Sequence, residues 1–405
     1  MKVGVVGAGF VGAASAYAMA IRGSASDVVI IDVNRAKAEA EARDIAHATT
    51  FTHPVRVVSG DFADLAGAQV VIMSAGVNQK PGETRLELLG RNAAIFRSVI
   101  PQIVENAPGA IILVSANPVD IMTELSERIA YAAGAAPGTV MGTGTVLDTA
   151  RFRQLVGQHL HVSNHHVHGY VYGEHGDSEV LGWTTMDIGG LTIDEYARVT
   201  GEERNDEIKA RITDETVHAA YAIIEGKGAT YFGIGASTAR LVEAILRDEH
   251  AIYSVTASVE EYGCSLALPR IVTGQGLGQV LYPTMSDDER AALDRSAAVL
   301  REFAEQLPAE SPACSSTRSA AGSMSTSEDT VIDVVERACN DVNVRSGPSE
   351  VASRDDRTTR ARIRDAAIDV VAANGPAALS ARRVADAAGV SPGSVIHHFG
   401  SMDGL

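Results

Sequence analysis

Lys2-Val3-Gly4-Val5-Val6-Gly7-Ala8-Gly9-Phe10-Val11-Gly12, with the alanine-rich run that follows to Ala20, is the stretch that decides the fold. Val3, Val5 and Val6 read as a short buried strand. Residues 7–12 fit G-x-G-x-x-G, and Ala13 to Arg22 reads as a helix of small residues. Gly7 permits a tight turn, Gly9 lets a pyrophosphate approach the backbone, and Gly12 lets helix and strand pack closely. The helix start offers unpaired N–H groups and a positive dipole end to that pyrophosphate. A second apolar run, Val28 to Ile31, ends in Asp32, about 20 residues beyond the glycines, where a ribose-binding carboxylate belongs. A carboxylate accepts hydrogen bonds from a ribose 2′-OH and repels a 2′-phosphate. The expected cofactor is therefore NAD, not NADP.

Working outward, 405 residues are too many for one typical domain, so two or three are expected. A formal net charge of −17 speaks against a chain-wide nucleic-acid binder, although it leaves room for a local basic patch. The sequence starts on a strand, with no basic and then apolar leader, so no signal peptide is expected. No apolar run approaches the length of a membrane span. Cys264, Cys314 and Cys339 are odd in number and far apart. They make neither a disulfide framework nor a zinc pattern, so a reducing cytoplasm is expected and no metal site.

Short apolar runs alternate with helical patterns through the first half. Residues 55–59, 70–74, 111–115 and 140–143 read as strands, and 35–47, 86–106 and 119–132 as helices. This alternation predicts a doubly wound parallel sheet of Rossmann type over residues 1–144, covered on both faces. Ligands then bind outside the carboxyl ends of the strands. Segments 75–85, 116–120 and 144–148, rich in Gly, Asn, Pro and Asp, should line that crevice. The loop from Gly76 to Arg85 is long and polar, with a Pro81-Gly82 turn, and its place at the crevice mouth suits a lid. Further on, Leu147 to Arg153 starts a helix, and Val167 to Ser178 forms a strand running into a turn. Gly173 and Gly176 flank His175, which suggests an exposed ring. Contact with Asp148 would orient that ring and raise its pKa, giving the acid–base partner that carbonyl reduction needs.

These residues resemble the L-lactate dehydrogenase branch of the lactate/malate dehydrogenase family. The matching motifs are Gly-Ala-Gly-Phe-Val-Gly at 7–12, Asn-Gln-Lys-Pro-Gly-Glu-Thr-Arg at 78–85 and Asn-Pro-Val-Asp at 117–120. Leu-Asp-Thr-Ala-Arg-Phe-Arg at 147–153, Gly-Glu-His-Gly-Asp at 173–177 and Gly-Ala-Thr at 228–230 complete the set, which runs to about Leu307. The resemblance implies an α+β substrate domain over residues 145–307. It makes His175 the proton donor and acceptor, with Asp148 as its partner. It gives Arg151 the substrate carboxylate in a bidentate pair and puts Arg85 on the lid, polarising the reacting carbonyl. Asn117 and Thr230 would complete the substrate pocket. Val11, Lys37, Phe62, Gly76, Val77, Ser98, Ser115, Asn117 and Thr143 would join Gly7, Gly9, Gly12 and Asp32 in holding NAD.

Gln79 bears on the substrate. Malate enzymes of this family typically place Arg at that lid position to pair oxaloacetate's second carboxylate. A neutral amide would leave that charge buried and unpaired, so Gln79 implies pyruvate and L-lactate. Arg153 and His168 stand where bacterial relatives activated by fructose 1,6-bisphosphate bind phosphate across a subunit interface, so that effector is implied as well. The helical patterns at 202–225, 230–248 and 287–306 would supply subunit contacts, and the resemblance implies a homotetramer.

After Leu307 the composition changes. Residues 308–353 read as a linker, rich at first in Ser, Ala and Pro, with a short amphipathic pattern at 330–339. From Arg354 to Leu405 arginines cluster, and helix, Gly-containing turn and helix follow one another, with Ser380 and Ser391 as caps and Gly389 at the turn. This end resembles the DNA-binding portion of TetR-type repressors, with Ser394 and His397 as candidate DNA contacts. Ile396 replaces a usual Tyr, and the large helical domain of that family does not follow. A non-functional tail is therefore the expectation, ahead of DNA binding. Three rivals remain: a malate dehydrogenase, a DNA-binding regulator using the dehydrogenase as redox sensor, and a catalytically silent NAD-binding module.

Overall fold

In the computed structural model, residues 1–77, 85–202, 206–306, 366 and 381–390 are described. The chain divides into two units, Met1–Cys339 and Asn340–Leu405. In the first unit, β1 (Lys2–Val6) leads through Gly7 into α1 (Phe10–Arg22), and β2 (Asp27–Ile31) into α2 (Arg35–Ala48). Then come β3 (Arg56–Ser59), β4 (Ala68–Met73), α3 (Arg85–Asn106), β5 (Ile111–Val114), α4 (Val119–Ala132) and β6 (Val140–Gly142). The local signals explain the ends. Gly23, at φ +65°, closes α1, and Asn34 caps α2 by accepting the Lys37 N–H at 3.0 Å.

Strands β3-β2-β1-β4-β5-β6 lie side by side in that order, all parallel. The order reverses between β1 and β4, which makes the crevice there the place for a ligand. The sheet does not stop at residue 144. After α5 (Val146–His159), the short strands β7 (Val167–His168), β8 (Val171–Tyr172), β9 (Val180–Leu181), β10 (Asp187–Ile188) and β11 (Leu191–Thr192) form two small sheets. Helices α6 (Ile193–Thr200), α7 (Asp206–Val217), α8 (Ala219–Lys227) and α9 (Phe232–Leu246) follow. Strands β12 (Ala251–Val259), β13 (Cys264–Thr273) and β14 (Gly276–Val280) then extend the main sheet to nine, antiparallel, with Thr256 beside Gly142. Helix α10 (Asp287–Glu305) opens with a Ser286/Glu289 capping box.

One buried cluster lies under α3, α4 and α10, and a second under α1, α2 and α9. A third fills the space between α5, the β7–β10 strands and α6–α7. Gly235 of α9 packs so tightly on α1 that an added Cβ would lie 2.8 Å from the carbonyl carbon of Ala14. The helix expected over 202–225 is two helices that break at His218. Thr216 bonds back to the Ile212 carbonyl at 2.8 Å, a pattern that bends helices, and Val217 adds a second β-branched residue. In the second unit, α11 (Ala381–Ala388) ends at Gly389, φ +65°, the turn expected there. The 308–353 stretch, Ser391, Ser394 and His397 lie outside the described residues.

Candidate active site

At the switch point the glycines behave as a phosphate-binding turn requires. Gly7 has φ +107°, and a Cβ there would sit 2.6 Å from the Ala75 nitrogen, so the loops after β1 and β4 touch. A Cβ on Gly12 would overlap the Gly7 carbonyl, whereas one on Gly9 meets nothing within 4 Å. The N-cap Gly9 brings no side chain to the first amides of α1, which leaves them for an anion. Asp32 is fixed across the turn: Oδ2 accepts the Ala8 N–H at 2.6 Å and Oδ1 the Asn34 N–H at 2.8 Å. Gly76, Val77, Ser115 and Thr143 follow the ends of β4, β5 and β6 on the same side of the sheet. The Ser115 hydroxyl is buried and has no hydrogen-bond partner among the described residues. An orphaned polar atom in this crevice fits a polar cofactor. Phe62 is half-buried after β3, Val11 and Ser98 are half-buried on α1 and α3, and Lys37 is exposed on α2.

The second cluster sits where α5, α4 and the turn after β8 converge. Asp148, in the first turn of α5, is 2% exposed. Its Oδ2 lies 2.7 Å from Nδ1 of His175, and its Oδ1 accepts Arg151 Nη1 at 2.5 Å. The His175 ring is therefore half-buried, not freely exposed as its flanking glycines suggested, because Asp148 draws it inward. Burial opposes a charge on His175, but Asp148, with help from Asp120, outweighs it and raises the ring's pKa to about 9. Burial likewise works to raise Asp148, yet His175 and Arg151 hold its carboxyl below the usual range.

Several residues beyond those expected hold this geometry. Asp120, 2% exposed, accepts the backbone N–H of His175 at 2.7 Å and the hydroxyl of Thr256. Burial first, partly offset by those hydrogen bonds, pushes its pKa up to about 6. Val171 is clamped at both backbone groups: Thr149 accepts its N–H at 3.0 Å, and Thr145 and Ser254 each donate to its carbonyl at 2.6 Å. Buried Asn92 accepts the Val77 N–H at 2.9 Å and donates to the Asn117 carbonyl at 3.3 Å, tying the loops after β4 and β5 together. Asp120 was legible only as the end of the Asn-Pro-Val-Asp motif. Asn92 and Thr256 carry no local signal, because their partners are distant in sequence.

Thr230 stands between α8 and α9, and no described hydrogen bond joins it to His175 or Arg151. Gln79 and the Arg85 side chain lie outside the described residues. Arg153 donates to the Gly169 carbonyl at 2.8 Å and lies over the Tyr170 ring, 4.9 Å from its centre. His168 is exposed on β7, one residue before that carbonyl.

Comparison with known proteins bears on both clusters. The model for the lactate/malate dehydrogenase NAD-binding domain matches residues 1–142, and that for the family's α/β C-terminal domain matches residues 145–310. The model for bacterial regulatory proteins of the tetR family matches residues 363–405. An L-lactate dehydrogenase of Chloroherpeton thalassium is 54% identical over 302 residues, covering 75% of this chain and 98% of the relative. One from Thermus aquaticus is 50% identical over 76% of this chain and 99% of its own length. The crystal structure of a minor L-lactate dehydrogenase from Enterococcus mundtii, ligand-bound, superposes with a TM-score of 0.73 at 39% identity, covering 76% of this chain and 99% of that one.

Proposed function

The chain belongs to the lactate/malate dehydrogenase family, and on that premise we propose that it interconverts pyruvate and L-lactate with NAD, through a His175–Asp148 proton relay. The observation that carries this reading is the joint placement of His175, Asp148 and Arg151. One carboxylate orients the ring through Nδ1 and steadies the guanidinium at the same time. That leaves Nε2 of His175 to give a proton to the carbonyl oxygen of pyruvate, and the remaining N–H groups of Arg151 to pair its carboxylate. The turn at Gly7–Gly12 and Asp32 would hold the dinucleotide, which supplies the hydride when bound. Asn117 and Thr230 would finish the pocket, and Arg85 would polarise the carbonyl from the lid. Val11, Lys37, Phe62, Gly76, Val77, Ser98 and Thr143 would contact the cofactor.

The proposal includes a homotetramer activated by fructose 1,6-bisphosphate. An exposed aromatic group, Phe10 stacked on Tyr231 at 5.2 Å with Phe232 beside it, supports a subunit contact on α1 and α9. Arg153 donates to the carbonyl of Gly169, next to the exposed His168, which supports an anionic effector there. Among the described residues no helix is long and apolar enough to cross a membrane, and a cytoplasmic location is proposed on the sparse cysteines. Domain limits at 144, 307 and 353 are proposed from composition and motif order.

Steady-state assays test the substrate. The wild type should prefer pyruvate to oxaloacetate, and Gln79→Arg should move the ratio of kcat/KM values toward oxaloacetate by about tenfold or more, since the new guanidinium pairs its distal carboxylate. An unmoved ratio would remove Gln79 as the basis for choosing pyruvate.

A further inference from the structure

The turn that presents His175 also presents Glu179, to which the reaction above gives no role. Glu179 closes that turn with its own N–H on the Gly176 carbonyl at 3.1 Å, directly before β9. Its carboxyl reaches back to the catalytic pair. One ligand-capable atom each of Asp148, His175 and Glu179 lie within 4.8 Å of one another. Oε1 of Glu179 is shut off from solvent, and no described residue hydrogen-bonds it. Two carboxyls this close in a water-poor place resist ionising together. Asp148 is the better served of the two, since both its oxygens have cationic partners, Arg151 and His175. The proton therefore falls to Glu179.

We propose that Glu179 is a positioning residue that works as a neutral carboxylic acid, and that its ionisation, alongside loss of the His175 proton, closes the site to an anionic substrate. This rests on the reaction proposed above. As a neutral group, Glu179 leaves the Arg151 guanidinium to Asp148 and to the substrate carboxylate. As an anion it would compete for that guanidinium and remove one unit of positive charge from the site. The charges facing it are Asp148 and Glu174, which favour its proton, and His175 and Arg151, which oppose it; Asp120 faces His175 from α4. Burial is the largest influence, and the balance raises Glu179 to about 9, in the range where His175 also titrates. Two protons then leave over one interval and belong to the pair jointly.

The pH profile of kcat/KM for pyruvate, measured on the full chain, reads this directly. On the alkaline side, log kcat/KM of the wild type should steepen toward a slope of about −2, and that of Glu179→Gln toward about −1. At neutral pH the variant should stay within about threefold of wild type, since glutamine copies a neutral acid, and the part of the alkaline loss that the variant escapes should fall mainly on KM. A wild-type slope near −1, which needs no variant to measure, overturns the proposal. So does a large loss of kcat in Glu179→Gln at neutral pH. Infrared difference spectra, wild type minus Glu179→Gln in unliganded protein at neutral pH, give a readout without turnover. A protonated-acid carbonyl band supports the proposal, and carboxylate bands alone overturn it. An inactive wild type would sink the substrate reading and leave the infrared result to decide Glu179.

Discussion

Asp148 does two jobs with one side chain, and the sign of its effect on His175 can be worked out. The ring's ordinary pKa is 6.5; burial alone would lower it, and Asp148 is the main reason it rises to about 9. The proton donor needed for pyruvate reduction is thus present below about 9 and lost as pH rises through that value. In Asp148→Asn the burial remains while the main attraction goes, so the ring should titrate well below the wild type's value of about 9. The alkaline limb of pyruvate reduction should move toward acid by more than about one unit, and the neutral-pH rate should fall about 10²–10⁴-fold, the weight of a general acid. A limb that keeps its position while the rate falls would show that Asp148 orients the ring without setting its charge.

At the scale of elements, the sequence made β1 to β6 and the helices between them legible to within a few residues. Parallel strands buried on both faces read as unbroken apolar runs, and Gly, Asn and Asp mark their ends. Strands β12 to β14 were not legible this way, although Val255 to Val259 alternates and a short turn leads to Cys264. Their runs contain Ser254, Thr256, Ser265 and Arg270, all buried, which break the apolar pattern. These polar residues are inside because each has a partner: Ser254 the Val171 carbonyl, Thr256 Asp120, Ser265 Glu127, all far off in sequence, and Arg270 the Ser258 carbonyl on the neighbouring strand. Pairs more than fifty residues apart leave no local trace, and the anchoring of His175 by Asp120, itself held by Thr256, belongs to this class. The pairing of α5 with β7 is different, because the family resemblance singled out Arg153 and His168 by position. If they bind an effector, fructose 1,6-bisphosphate should lower the KM for pyruvate, and Arg153→Gln or His168→Ala should reduce that effect several-fold. The bound phosphate favours the active state only by its differential affinity. Saturation curves that superimpose with and without the effector would exclude it.

At the scale of the whole molecule, the question is what the C-terminal region contributes. Residues 363–405 match a DNA-binding family, while the chain as a whole has a formal charge of −17. Such a balance opposes approach to a phosphate backbone, and half-site recognition normally depends on the spacing of a dimer. The dehydrogenase part, in contrast, is complete well before that region. Its nine-stranded sheet ends at Val280 and its last described helix at Glu305; the candidate catalytic, substrate and cofactor residues all precede Phe232, and the supporting Ser254 and Thr256 lie in β12. The three buried clusters of the described residues draw on nothing beyond Ala304. Deleting everything after Pro308 should therefore leave kcat/KM for pyruvate within about threefold of the full chain, a difference under about 1 kcal/mol. Salt-sensitive, sequence-selective DNA binding should be absent from both proteins. A full chain that binds a specific duplex tightly, and loses that binding on deletion, would promote the alternative in which the dehydrogenase senses redox state for a regulator. A deletion that lowers kcat/KM by much more than threefold would show that the C-terminal region supports the active site through contacts with residues before Pro308.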